Sequence, residues 1–213
     1  MYKASGFTRQ EILNSIKLHG PMAADELGKE LGISPVAARQ HLSSLESEGY
    51  IVTNVDRRNL GRPVHRYAMT AQGDELFPRM YDMLANQLLD ELRFSQGDEA
   101  VEALFQSRMQ RSRDALMGRT AGKPIIERAI DIAQFRTEMG YMAETKIKNN
   151  VINLVEHNCS ICNIARNYPY ACNMELQLIT ELFEDSADVK RSDHILSGGN
   201  TCTYLITPHN LDK

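Results

Sequence analysis

The first 158 residues of this 213-residue chain contain no cysteine; all four lie in the last quarter, at Cys159, Cys162, Cys172 and Cys202. Cysteines used only for packing are not expected to crowd in this way, whereas thiolates that bind something are. There is also no run of about 18 apolar residues, which excludes a helical membrane span. The opening stretch MYKASGFTRQEIL lacks an apolar core segment, so no secretory signal is expected. The expectation is a cytoplasmic protein in a reducing compartment, where paired structural disulfides are disfavoured. That shifts the four thiols toward metal binding or redox work. Nothing in the chain supplies a nucleotide loop or a catalytic carboxylate pair, so neither an enzyme nor a small-molecule substrate is expected.

Composition is that of an ordinary globular chain, 42% hydrophobic and 24% charged. The net charge of −4 is unevenly placed. Residues 1–70 hold nine Lys/Arg against seven Asp/Glu, a net of +2, which leaves −6 for the remainder. Four arginines (Arg57, Arg58, Arg62, Arg66) fall within ten positions, against Asp56 alone. This is a local patch suited to phosphate on a chain that is acidic elsewhere.

The pattern of residues 1–70 predicts a winged helix-turn-helix. Thr8-x-x-Glu11 has the form of a capping box, and Ile12, Leu13, Ile16 and Leu18 supply an apolar face that ends at Gly20-Pro21. A second short helix is expected from about Ala23 to Leu31, stopped by Gly32. Ser34 then reads as an N-cap with Pro35 at the first helical position, a cap contributing about 1 kcal/mol. The third helix follows, and Gly49 ends it. Tyr50-Ile51-Val52 begins one strand, Asn59-Leu60-Gly61 makes a turn, and Val64–Met69 returns as a second strand, together a wing. In such a fold the third helix enters the major groove, which places Ser34, Pro35, Val36, Arg39, Gln40 and Ser43 at or near the bases. Arg39 suits guanine and Gln40 suits adenine. Arg57, Arg58 and Arg62 at the wing tip would meet phosphate or the minor groove. His41 and His65 read as surface or packing residues.

Residues 71–140 read as helical. Leu76, Phe77, Met80, Met83, Leu84, Leu88 and Leu92 recur at three and four positions, predicting a long amphipathic helix that packs in a core and forms the centre of a homodimer. A dimer would present two recognition helices about 34 Å apart and read an inverted repeat in double-stranded DNA. Residues 98–118 and Ile125–Gly140 predict further helices, with Arg108, Arg111, Arg113 and Arg119 on a solvated face near Glu99, Glu102 and Asp114. Residues 141–213 predict a small α+β domain. In it Cys159 follows a strand, Cys172 opens a helix and Cys202 opens the last strand, so loops can bring all three to one point.

The spacing Cys-x2-Cys-x9-Cys-x29-Cys offers one knuckle and two isolated thiols, where a structural zinc site usually pairs two knuckles. An iron–sulfur cluster tolerates irregular spacing because each iron needs only one protein thiolate. A zinc or other metal-ion site, a redox disulfide at Cys159–Cys162, a catalytic cysteine with His157, and inert buried thiols stand as alternatives.

Two runs of residues carry a resemblance to a known family. The first is Leu27…Leu31-Gly32-Ile33-Ser34…Ala38-Arg39-Gln40-His41-Leu42…Leu45-Glu46…Gly49-Tyr50-Ile51, continuing through Gly61-Arg62-Pro63…Tyr67…Thr70…Gly73…Leu76-Phe77-Pro78…Tyr81. The second is His157-Asn158-Cys159…Ala165…Tyr168-Pro169…Cys172…Glu175, with Val189…Arg191 and Gly198…Cys202-Thr203-Tyr204. Together they resemble the SufR family of bacterial winged-helix repressors over almost the whole chain. The resemblance implies a dimeric repressor of iron–sulfur cluster assembly (suf) genes that binds operator DNA while it holds a [4Fe-4S] cluster. Its ligands would be Cys159, Cys172 and Cys202. Cys162 departs from the family pattern of three cysteines, which leaves the fourth ligand open between Cys162, His157 and another group.

Overall fold

The computed structural model describes residues 5–56 and 63–209. The chain divides into two units, residues 1–79 and 80–213. The expected boundary at residue 70 therefore moves to 79/80. The helices expected to form a region of their own share a unit with the C-terminal sheet.

In unit 1, α1 (Ser5–His19), α2 (Ala24–Leu31) and α3 (Pro35–Ser47) precede an antiparallel pair, β1 (Ile51–Asp56) and β2 (Val64–Met69). The expected capping box at Thr8 is not used, because α1 starts at Ser5 and Thr8 lies within it. The cap at Ser34 is used: its Oγ accepts from the Ala37 N–H at 3.1 Å, with Pro35 in the first turn. Gly32 closes α2 at φ 66°, a conformation that suits glycine. Ile12, Ile16, Leu27, Ala38, Leu42, Leu45 and Ile51 fill the core. The segment Pro21-Met22 adds a short third rung to the wing, with Met22 and Tyr67 exchanging two backbone hydrogen bonds of 3.1 and 2.8 Å.

The exit from unit 1 is tied to the end of α3. Thr70 donates its hydroxyl to the Gly49 carbonyl at 2.6 Å and its N–H to the Tyr50 carbonyl at 3.0 Å. Gln72 donates to the Glu48 carbonyl at 3.1 Å. Gly73, in the short α4 (Ala71–Asp74), lies so close that a Cβ there would overlap the Tyr50 carbonyl and the Met69 sulfur.

Unit 2 contains α5 (Tyr81–Gln96), α6 (Asp98–Thr120), α7 (Ile125–Glu138), β3 (Ala143–Lys148), β4 (Val151–Glu156), α8 (Cys162–Ala165), α9 (Tyr170–Phe183), β5 (Ala187–Asp193) and β6 (Cys202–Pro208). The strands form one antiparallel sheet in the order β3-β4-β6-β5. Residues 152, 154 and 156 of β4 pair with 206, 204 and 202 of β6 and face one side, because side chains alternate along a strand. That face is covered by α6, α7 and α9, and Leu116, Ile132, Leu154, Ile179, Phe183 and Tyr204 form the core between them. The result is the expected α+β class, with helices on one face of an antiparallel sheet.

The expected long helix through residues 70–92 is broken. Proline has no N–H and cannot sit inside a helix, and Pro78 lies in the non-helical stretch between α4 and α5. The apolar stripe is also not buried within the chain: Leu84 and Leu88 are 51% and 62% exposed, while Leu89 faces inward.

Candidate nucleic-acid interface and thiol cavity

On α3, the buried residues Ala38, Leu42 and Leu45 mark the inner face. Ser34, Pro35, Val36, Arg39, Gln40 and Ser43 all lie exposed, and positions 36, 39, 40 and 43 recur at helical spacing on one stripe. The expected reading surface is therefore a single continuous face. Arg39 is held in place by Asp25 of α2, at 2.7 Å from Nη2 to the carboxylate. Arg66 of β2 is engaged within unit 1. It bonds the Pro21 carbonyl at 2.9 Å and Glu26 at 3.2 Å, locking α2 to β2. The expected contacts Arg57, Arg58 and Arg62 and the turn at Asn59-Leu60-Gly61 lie outside the described residues.

Comparison with known proteins bears on this surface. Residues 8–52 match the family model described as winged helix-turn-helix DNA-binding. Unit 1 is a winged helix-turn-helix DNA-binding domain. A stretch of 64 residues is 39% identical to the probable C4-dicarboxylate response regulator DctR of Bacillus subtilis strain 168, covering 30% of this chain and 28% of that protein. The protein of the same name from Halalkalibacterium halodurans is 30% identical over 63 residues, 29% of this chain and 27% of that one. The chain thus spans under a third of these relatives. The crystal structure of Bacillus subtilis PadR in complex with operator DNA aligns with 84% of this chain and 99% of that chain at 12% identity and a TM-score of 0.31.

In unit 2 the thiols converge. Cys159 lies in the loop after β4, Cys172 in the first turn of α9 and Cys202 at the start of β6, and all three line one small cavity of about 20 Å³. Cys162 does not line it; it opens α8 and lies with Cys159 in a separate shallow pocket beside Asp82 and Asn163. His157 is also elsewhere, with its Nε2 2.6 Å from the exposed Glu144 carboxylate. Burial pushes the Cys159 thiol up to about 11, with the neighbouring thiols adding to the rise. Burial raises Cys172 and Cys202 as well, opposed by the Arg191 cation.

The rest of the cavity wall combines Tyr141, Ile161 and Tyr204 with an ionic set. Arg136 of α7 is 3% exposed; its Nε donates to Glu156 at 2.5 Å, a second nitrogen bonds Glu175, and its guanidinium stacks on Tyr141 at 3.5 Å. Arg108 of α6 reaches the other Glu175 oxygen at 2.8 Å. Burial opposes ionisation of Glu175, but Arg136 and Arg108 outweigh it and hold its carboxyl below the usual range. Glu156, whose one cationic partner among the described residues is Arg136, is raised by burial. Arg136 Nη2 and His194 Nε2 are buried atoms with no hydrogen-bond partner, and both residues line the thiol cavity.

These charges correct one expectation. The arginines of α6 are not all on a solvated face: Arg111 and Arg119 are exposed, but Arg108 and Arg113 are half-buried. Arg108 and Arg113 reach Glu175 and Glu181 of α9, and Arg119 reaches Glu138 of α7. The reading of the sequence also missed Arg136, Glu156 and His194. Two of these carried a signal. Arg136 continues the buried series 129, 132, 133, and Glu156 continues 152, 154, so each is a charge in apolar phase.

Proposed function

We propose that this protein is a homodimeric transcriptional repressor that reads an inverted repeat with α3 and senses iron–sulfur status through a [4Fe-4S] cluster on Cys159, Cys172 and Cys202. The observation that carries the reading is the convergence of three thiols, distant in sequence, on one buried cavity walled by arginines with one unpartnered nitrogen. Thiolates bring negative charge that Arg191 offsets, since Arg136 is already balanced by two carboxylates, and an unpartnered N–H suits a sulfide acceptor. The donor set therefore fits a cluster. It fits a single zinc ion less well. Such an ion needs donors around one point, and among the described residues no three His, Cys, Asp or Glu side chains close on one.

When bound, the cluster supplies a crosslink that oxidants and iron shortage remove. The chain's own residues relay its presence. The cavity admits about one water, so a larger group would need its wall to open, and the loop of residues 158–161, which carries Cys159 and Ile161, is part of that wall. That loop runs into α8, where Asn163 donates to Asp82 of α5 at 2.6 Å and accepts from Asn86 at 3.2 Å. Asn167 and Tyr168 add bonds of 2.9 and 2.6 Å to Asn86 and Asp90. The loop thus governs α5, which follows directly on unit 1 in the chain and carries Leu84, Leu88 and Phe94 exposed for a second copy.

The test is anaerobic purification of the full chain, with iron and acid-labile sulfide assayed. Selection from random duplex DNA follows, by the loaded and the stripped protein. About four of each per chain, an inverted repeat, and roughly hundredfold tighter binding when loaded, about 2.7 kcal/mol of coupling, are expected. Zinc without sulfide, or equal binding by both forms, overturns the reading.

A further inference from the structure

We propose that His194 supplies the fourth protein ligand to the cluster, through Nε2. The inference rests on the proposed cluster site and goes beyond it, because neither spacing nor resemblance selects a fourth donor. Of the two groups that sequence offers, Cys162 does not line the cavity, although its thiol is near enough to raise Cys159 and Cys172, and His157 is engaged by Glu144. His194 lines the cavity together with Cys159, Cys172 and Cys202.

Its ring is built as a ligand is built. Nδ1 lies 3.0 Å from Ser197 Oγ, and a ring whose Nδ1–H donates to that hydroxyl leaves the Nε2 lone pair free for a metal. Metal-bound imidazoles are oriented in this way through their other nitrogen. Nε2 itself is buried with no partner in the protein. A buried polar nitrogen left unmatched is costly, and a metal would satisfy it. The backbone holds the ring in position. The His194 N–H donates to its neighbour Asp193 at 3.0 Å, and the His194 carbonyl accepts from Ser197 and Gly199 at 3.1 and 3.0 Å. Asp193 is in turn fixed by the Thr201 hydroxyl at 2.8 Å. A register shift between Arg191 and Asp193 turns the end of β5 just before the histidine, and bulges of this kind re-aim side chains. The result is a stiff loop that brings His194 and Cys202 to one cavity from its two ends.

The experiment uses the full chain, loaded anaerobically and reduced, read by pulsed EPR for nitrogen hyperfine coupling. The wild type is expected to show a directly coordinated nitrogen. H194A should lose that coupling while keeping a cluster on three thiolates. H194C, which keeps four ligands, should retain the cluster without the coupling and serves if H194A fails to fold. C162A should match the wild type. A loaded wild type without the coupling, coupling that survives H194A or H194C, or loss of the fourth ligand in C162A overturns the assignment while leaving the cluster site standing. A wild type that takes up no iron and sulfide overturns both, and so the two failures are told apart.

Discussion

Replacing Arg136 with methionine removes the cation from a site that cannot rehydrate. The residue is 3% exposed and its partners Glu156 and Glu175 are 2% and 6% exposed. In the wild type Arg136 and Arg108 together offset the two carboxylates. Without Arg136, Arg108 still bonds Glu175, but Glu156 keeps no cationic partner among the described residues. Removing one member of a buried ion pair costs about 3–5 kcal/mol, because the remaining charge stays desolvated. Against a typical stability of about 5–15 kcal/mol this is a large fraction. Hydrogen exchange read on the amides of β4 and β6 reports the loss directly. It is expected to accelerate roughly 10²- to 10⁴-fold if exchange proceeds through opening of the whole unit. Adding E156Q should recover a large part of that loss. The variant should also depend on pH. A folded Glu156 raised above its unfolded value stabilises below the unfolded value, and that contribution is lost as pH rises through the folded one. The single variant is thus more stable near about pH 5 than about pH 8. Exchange within a few-fold of wild type, or no rescue by E156Q, would refute the account of a charge-balanced buried site.

Three further outcomes are expected. S34A loses the α3 cap and should cost unit 1 about 1 kcal/mol, read by exchange of the α3 amides. G73A forces a methyl against the Tyr50 carbonyl and should destabilise unit 1 by about 1–3 kcal/mol in chemical denaturation, with unit 2 exchange unchanged. D25N releases Arg39 from its carboxylate and should tighten binding to random duplex DNA by up to about fivefold, whereas R39A should relax preference at one base position. Binding titrations at two salt concentrations check both.

The winged domain was legible in the sequence because its signals are local. Ser34-Pro35, Gly32 and the apolar spacing of α3 each decide a boundary without help from distant residues. The break at Pro78 was equally local, but the repeat of leucines and methionines across it invited one helix where there are two. The thiol cavity was half legible. Clustering picked out all four thiols, and the resemblance, with the expected positions at element ends, singled out Cys159, Cys172 and Cys202. The fact that Cys162 faces a different pocket depends on the turn at α8, which no spacing encodes. His194 stayed hidden because its role follows from a register shift in β5 and from the absence of a partner for one nitrogen. Both are properties of the folded chain.

The bonds from Thr70 and Gln72 to the end of α3 have a mechanical consequence. The point at which the chain leaves the DNA-binding domain is fastened to the end of α3, the helix proposed to read the bases. A twist applied at Gly73 is therefore delivered to α3 as torque on a rigid body. A turn of the exit segment at residues 70–73 is thus coupled to the end of α3 through three hydrogen bonds.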